Sequence, residues 1–123
     1  SMLVFDAIIC NTDRHLGNFG FLVDNKENKI IGTAPIFDNG LSLFCYAMED
    51  DIENLDKYAE TRTPALYENF VDVAKELITP IQQEQLKRLI GFKFKKHSRY
   101  NLDKNRLKAI ENFIQKRVLE LLN

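Results

Sequence analysis

Two apolar segments rich in β-branched and aromatic residues, FGFLVD (19–24) and KIIGTAPIFD (29–38), flank the polar tetrapeptide NKEN. This pattern predicts a β-hairpin with Asp24 and Lys29 beside its turn. A hairpin returns the chain to where it started, so Phe19 is expected near Ala34 and Asn18 near Pro35. Any fold of this chain must therefore bring residues 11–18 and residues 35–40 to one end of the hairpin. Both strands are apolar at nearly every position instead of alternating, which predicts burial on both faces.

The residues that the hairpin gathers are polar. NTDRHLGN (11–18) enters it and DNG (38–40) leaves it. Asp13, Asn18 and Asp38 would crowd the open end, and a carboxylate, an amide and a second carboxylate offer oxygen ligands to a hard cation such as Mg²⁺. A carboxylate with access to that cation could also accept a hydroxyl proton. Phosphoryl transfer needs this combination: cationic neutralisation of phosphate charge and a group that orients the nucleophile. The spacing agrees. Protein kinases place a catalytic Asp five residues before a metal-binding Asn, then a short hairpin, then an Asp-x-Gly ligand. Asp13 and Asn18 have that separation, and Asp38-Asn39-Gly40 follows the hairpin.

On these residues, NTDRHLGNFGFL followed by PIFDNGLSL, the chain resembles the C-terminal catalytic region of HipA-like serine/threonine protein kinases, bacterial proteins often paired with a helix-turn-helix antitoxin. The resemblance covers residues 3–45. It implies a protein-kinase-like C-terminal lobe, with a hairpin next to the catalytic loop and a helical subdomain after it. It implies Asp13 as the catalytic aspartate engaging a substrate hydroxyl, and Asn18 and Asp38 as ligands of the metal that carries the nucleotide. Arg14 and His15 sit inside the same motif, and His15 is expected to brace the loop through hydrogen bonds. Mg²⁺ and ATP are the implied cofactors. A protein substrate, of the translation machinery by resemblance, and a toxin–antitoxin setting in the bacterial cytoplasm are also implied. A complete kinase adds a glycine-rich cover and a lysine that clamps the phosphates. This chain has five glycines without a G-x-G-x-x-G or Walker pattern, and its first lysine, Lys26, follows the loop. The expectation is the catalytic half of a kinase with its N-terminal lobe absent, inactive alone. The alternative is a non-catalytic binding module that associates with a separate N-lobe or an antitoxin.

The rest of the chain reads as mainly helical. MLVFDAIIC (2–10) resembles the end of an apolar helix, with Ser1 set aside as a tag remnant. The acidic stretch 46–62 is expected to be an irregular surface loop with at most one helical turn. Thr63-Pro64 predicts a helix start, with Leu66, Phe70, Val73, Ala74 and Leu77 on one face. Thr79-Pro80-Ile81-Gln82 opens a second helix with capping-box spacing that ends at Gly91. Asp103 caps a last helix with an inner face of Leu107, Ile110, Ile114, Val118 and Leu121. The predicted fold is α+β, predominantly α-helical, in a single domain (2–123) whose parts are 2–45, 46–62 and 63–123.

Composition bounds the remaining readings. Net charge is −1, yet residues 1–84 carry six Lys or Arg against fifteen Asp or Glu, and residues 85–123 carry eleven against three. Such asymmetry marks a surface for phosphates, RNA or an acidic partner, or two halves facing each other. Phe92, Phe94 and Tyr100 among the lysines of FKFKKHSRYN are expected to pack inward, which places nucleic-acid binding through 85–108 behind the other readings. Asp24, Lys26 and Asn28 do not begin a calcium loop, because Lys29 and Pro35 stand where glycine and a bidentate glutamate are needed. Cys10 and Cys45 read as two buried thiols. No run of about eighteen apolar residues exists, so no membrane-spanning helix is expected, and the start lacks a basic n-region and meets Asp6 early.

Overall fold

The longest helix organises the others. In a computed structural model describing all 123 residues, the elements are α1 (Met2–Ile9), β1 (Phe21–Asp24), β2 (Lys29–Thr33), α2 (Glu49–Glu53), α3 (Leu55–Glu60), α4 (Phe70–Leu77), α5 (Pro80–Lys87) and α6 (Lys104–Leu122). The fold is α+β and mostly helical. Asp103 starts α6 as expected, its carboxylate accepting from the N–H groups of Asn105 (3.0 Å) and Arg106 (3.3 Å). The 3.6-residue period then buries Ile110, Ile114, Val118 and Leu121 along one stripe, with Phe113 beside them. All five other helices pack on α6, and α1 packs additionally on α4.

The apolar residues so gathered form one cluster from Val4 and Ala7 of α1 to Leu121 of α6. The Phe113 ring meets Phe44 edge-on at 4.6 Å between centroids. Each large aliphatic buried here contributes about 1.5–3 kcal/mol. Two arginines of α6 bind carbonyl groups outside their own helix. Arg106 donates to the carbonyls of Phe44 (3.2 Å) and Ala47, and Arg117 donates to the carbonyl of Ala7 (2.7 Å) with its guanidinium over the Phe113 ring. These bonds tie the segment after the hairpin, and the end of α1, to the spine of the molecule.

The capping box of α5 forms, with Thr79 N–H donating to Gln82 Oε1 and Gln82 N–H to Thr79 Oγ1. The helix ends at Lys87 and not at Gly91 as expected; turns continue the chain to Gly91, which is left-handed (φ 80°). Two further expectations are corrected. The helix assigned to Thr63-Pro64 begins only at Phe70, because Asn69 is the cap in use, its side chain accepting from Asp72 N–H at 2.9 Å. Pro64 is buried in a connection and Leu66 is exposed. The stretch 46–62 is not an irregular loop but holds α2 and α3. Asp51 caps the first through Met48 N–H (2.9 Å), and Ile52, Leu55 and the half-buried Tyr58 form an i, i+3 stripe into the core. The acidic residues that suggested a loop occupy the first turn of α2, where the helix dipole favours negative charge.

The hairpin is antiparallel, with Asp24 opposite Lys29 as expected. Asp24 shapes the turn, its carboxylate accepting from Lys26 N–H at 2.8 Å. A bulge between Leu22 and Val23 shifts the register by one residue, so that Phe21 pairs with Thr33 and Gly20 O accepts from Ala34 N–H. The expected pairing of Phe19 with Ala34 is therefore displaced to Gly20. The burial expectation fails as well. Ile30 and Ile31 are 66% and 69% exposed, Phe21 60%, and no helix packs on either strand. Continuous apolarity measured the strands' capacity for burial, whereas nothing within the chain covers them. A groove of about 750 Å³ separates the base of the hairpin from α1 and α5, lined by Phe5, Ile8, Phe19, Ile36, Leu86 and Leu89 among others. No helix is long and apolar enough to cross a membrane.

These placements predict opposite outcomes for two isoleucines. Ile110→Ala, inside the cluster, lowers unfolding free energy by about 2–5 kcal/mol in urea titrations. Ile31→Ser, on the uncovered strand, leaves it within about 0.5 kcal/mol.

Candidate catalytic and cation site

Helix α1 is apolar except for one residue, and that residue is wholly buried. Asp6 points its carboxylate out of α1 toward the loop that follows. The helix ends at Cys10, whose left-handed conformation (φ 51°) turns the chain back. Cys10 N–H and Asn11 N–H both donate to Asp6 O. Asn11 Nδ2 donates to the Asp6 carboxylate at 3.2 Å, while Asn11 Oδ1 accepts from Asp13 N–H at 3.1 Å.

Arg14 completes the centre. Its Nε and Nη2 bind the two Asp6 oxygens at 2.9 and 2.8 Å, a side-on fork that only a guanidinium provides. Its Nη1 donates to Asn18 O (3.0 Å) and Phe37 O (2.6 Å), and its Nη2 to Asn39 Oδ1 (2.5 Å). Every N–H of the guanidinium has an acceptor. The hydrogen bonds to Asp6 raise its pKa further above the ordinary arginine value, against the opposing effect of burial, and the nearby charge of Asp38 adds to the rise. Burying a charged pair is unfavourable unless its remaining donors are satisfied. Here they all are.

The loop winds tightly around this centre. His15 N–H donates to Asp13 O, Asn18 N–H to His15 O, and Asn18 Nδ2 to Asp13 O at 2.6 Å. The last bond commits the amide nitrogen of Asn18 and leaves its oxygen over. Asn18 is 1% exposed, and its Oδ1 has no partner. His15 Nδ1 accepts from Gly17 N–H at 2.9 Å, so the neutral ring holds its proton on Nε2, which lies 3.8 Å from Asp13 Oδ2. A Cβ on Gly17 would stand 2.9 Å from His15 Cε1, so glycine lets the ring fold back over the loop. The Asp13 carboxylate is half-exposed. Asp38 is exposed and left-handed (φ 53°), with residues on both sides of it held by Arg14.

The geometry thus joins Asn18 and the 37–39 segment through one guanidinium, and Asn18 in turn holds the backbone of Asp13. Residues that sequence reasoning passed over supply the joints: Asp6, Asn11 and Asn39. The available signal was an aspartate inside MLVFDAII, since a carboxylate in an apolar helix needs a buried partner. No three His, Cys, Asp or Glu side chains cluster as a cation site. The candidate donors are instead the Asn18 oxygen and the Asp38 carboxylate, on segments that Arg14 joins. Such a sparse, all-oxygen set suits Mg²⁺, which retains water and is bound through one or two carboxylates and phosphate oxygens. The unpartnered Asn18 Oδ1 fits that role, because a buried acceptor without a partner costs about 1–3 kcal/mol.

Two flanking groups titrate abnormally. Burial pushes the Cys10 thiol up to about 11 despite the opposing charges of Arg117 and Arg62. Burial, then the charge of Asp6, pushes the Tyr67 hydroxyl up to about 12. Cys45, expected to be buried, is exposed. Comparison with protein-family models, curated proteins and solved structures gives no match for this chain.

Two predictions follow from the buried groups. Asp6→Ala strands Arg14 without its counter-charge and lowers unfolding free energy by about 3–5 kcal/mol in denaturant titrations. The raised Cys10 pKa favours the protonated folded state, so its contribution is complete below pH 9 and is lost as pH rises toward about 11. Thermal melts across that window fall more steeply for the wild type than for Cys10→Ala.

Proposed function

We propose that this chain carries the catalytic loop and cation ligands of a HipA-like serine/threonine protein kinase, transferring the γ-phosphoryl group of ATP to a protein hydroxyl. The observation that carries the reading is the unpartnered, buried Asn18 Oδ1 on a segment held to Asp38's neighbours by Arg14. The order Asp13, Asn18, hairpin, Asp38 supports it from the sequence side.

In this reading Asp13 receives the substrate hydroxyl. Its carboxylate is reachable from solvent, and its backbone is fixed by Asn18 and Asn11. It orients the hydroxyl oxygen toward the γ-phosphorus and accepts the proton as that oxygen–phosphorus bond forms and the bond from the γ-phosphorus to the departing ADP oxygen breaks. His15, folded back over the loop through Gly17 N–H, places its Nε2 3.8 Å from the same carboxylate. Asn18 and Asp38 would hold Mg²⁺, which when bound neutralises charge on the nucleotide phosphates. The substrate as a component of the translation machinery, the antitoxin partner and a cytoplasmic setting belong to the same proposal.

A second reading is supported by the hairpin. Its strands expose Phe21, Ile30 and Ile31, and a groove opens beside them. A binding module that works by joining a separate lobe or an antitoxin would present such a surface without needing catalysis. Two experiments divide these readings. Asp13→Asn in a kinase assay on the complete protein lowers kcat by about 10²–10⁴-fold with an unchanged melting temperature; surviving activity would remove Asp13 from its role. Calorimetric titration of the chain with Mg²⁺ and ATP separates the rest, since tight binding by these residues alone counts against the module.

A further inference from the structure

The buried guanidinium contacts neither a reacting group nor solvent, yet its bonds end at the places where the proposed cation ligands attach to the backbone. Two of its donors reach Phe37 O and Asn39 Oδ1, the residues on either side of Asp38. A third reaches Asn18 O, the carbonyl of the other ligand residue. The remaining two are fixed by Asp6 on α1, which packs on α4 and α6. We infer that Arg14 is a positioning residue: it sets the separation of Asn18 and Asp38, and so the geometry in which both can bind one cation.

Asp38 lies in the left-handed region, which a non-glycine residue leaves readily unless its neighbours are held. Arg14 holds both neighbours. The 37–39 segment is exposed and lies beyond the last strand, so few other contacts restrain it. A lysine could supply the charge but not five directed donors in one plane, so the role belongs to the fork and not to the charge. Asp6 is the fixed end of the device, because helix packing prevents it from following the loop. Partners of this kind, one bond removed from the ligands, typically govern metal affinity by 10–100-fold.

The inference rests on the phosphotransfer reading only in taking Asn18 and Asp38 as the ligands. Mn²⁺ is the probe, titrated into the chain and followed by electron paramagnetic resonance, with amide hydrogen exchange over residues 36–41 read in parallel. Asn39→Ala removes one acceptor of Nη2 at an exposed residue, where water can replace it, so a folded protein with at most a small drop in melting temperature is expected. It is expected to weaken Mn²⁺ binding about tenfold and to speed exchange over 36–41. Arg14→Lys is expected to weaken binding by 10–100-fold where it folds. Asn39→Asp retains an acceptor for Nη2 and should keep wild-type exchange. Asp38→Asn should lose Mn²⁺ while the segment stays protected, since its anchors are intact. Wild-type Mn²⁺ affinity and unchanged exchange in Asn39→Ala would overturn the inference. If the wild type binds no Mn²⁺, the cation reading itself fails. Exchange then decides the remainder: faster exchange in Asn39→Ala upholds the anchoring of 36–41 by Arg14, and unchanged exchange overturns it.

Discussion

The buried pair of Asp6 and Arg14 is the contact on which the other loop contacts depend. Asp6 occupies a helix that the core fixes through Val4 and Ala7, so its carboxylate has a set position before the loop is considered. Arg14 must come to it, since an unpaired buried carboxylate is strongly unfavourable. Once the guanidinium is there, its free edge offers three more donors, and each finds an oxygen on a different part of the chain. The loop, the start of the hairpin and its exit are thereby referred to one helix. A surface ion pair of the same two residues would contribute little and specify nothing.

How far the sequence reveals this arrangement differs by element. α5 and α6 are readable from their caps, and α6 adds an unbroken apolar period, so that local and tertiary preferences agree. Thr63-Pro64 misleads because a valid start signal is used in a connection, while Asn69 six residues after Thr63 makes the actual cap. The acidic stretch 46–62 misleads for another reason. Its composition suggests solvent, but only the outer face of α2 and α3 meets solvent, and Ile52 and Leu55 reach the core. For the site, the polar residues and their spacing are legible, whereas the partners of Arg14 are not. Carbonyl oxygens such as Phe37 O carry no side-chain signature, so the half of the network made of backbone cannot be read from residue type.

The hairpin carries a related lesson. Apolar residues at every strand position predict two covered faces, and here neither face is covered. An isolated two-stranded hairpin is marginal in water, which means that its base must be held from elsewhere. Arg14 does this at Phe37, and the bond between Gly20 O and Ala34 N–H extends the ladder toward it. The bulge at Leu22–Val23 leaves Ile31 unmatched and displaces the returning strand by one residue. That displacement alters which residues reach the open end, so the location of Asp38 depends on a local irregularity as well as on hairpin formation.

The charges at that open end favour a cation over a bare phosphate. Asp6 and Arg14 neutralise each other in the interior. Asp13 and Asp38 remain, two carboxylates near solvent, together with an amide oxygen that nothing satisfies. A phosphate group approaching without a counter-ion would meet like charge, and Arg14, with every donor occupied, could not receive it. The arginine therefore cannot serve as a phosphate ligand in this conformation, although a guanidinium in a loop is often assigned that task. Its five bonds make it part of the frame that holds the loop and residues 37–39 to α1.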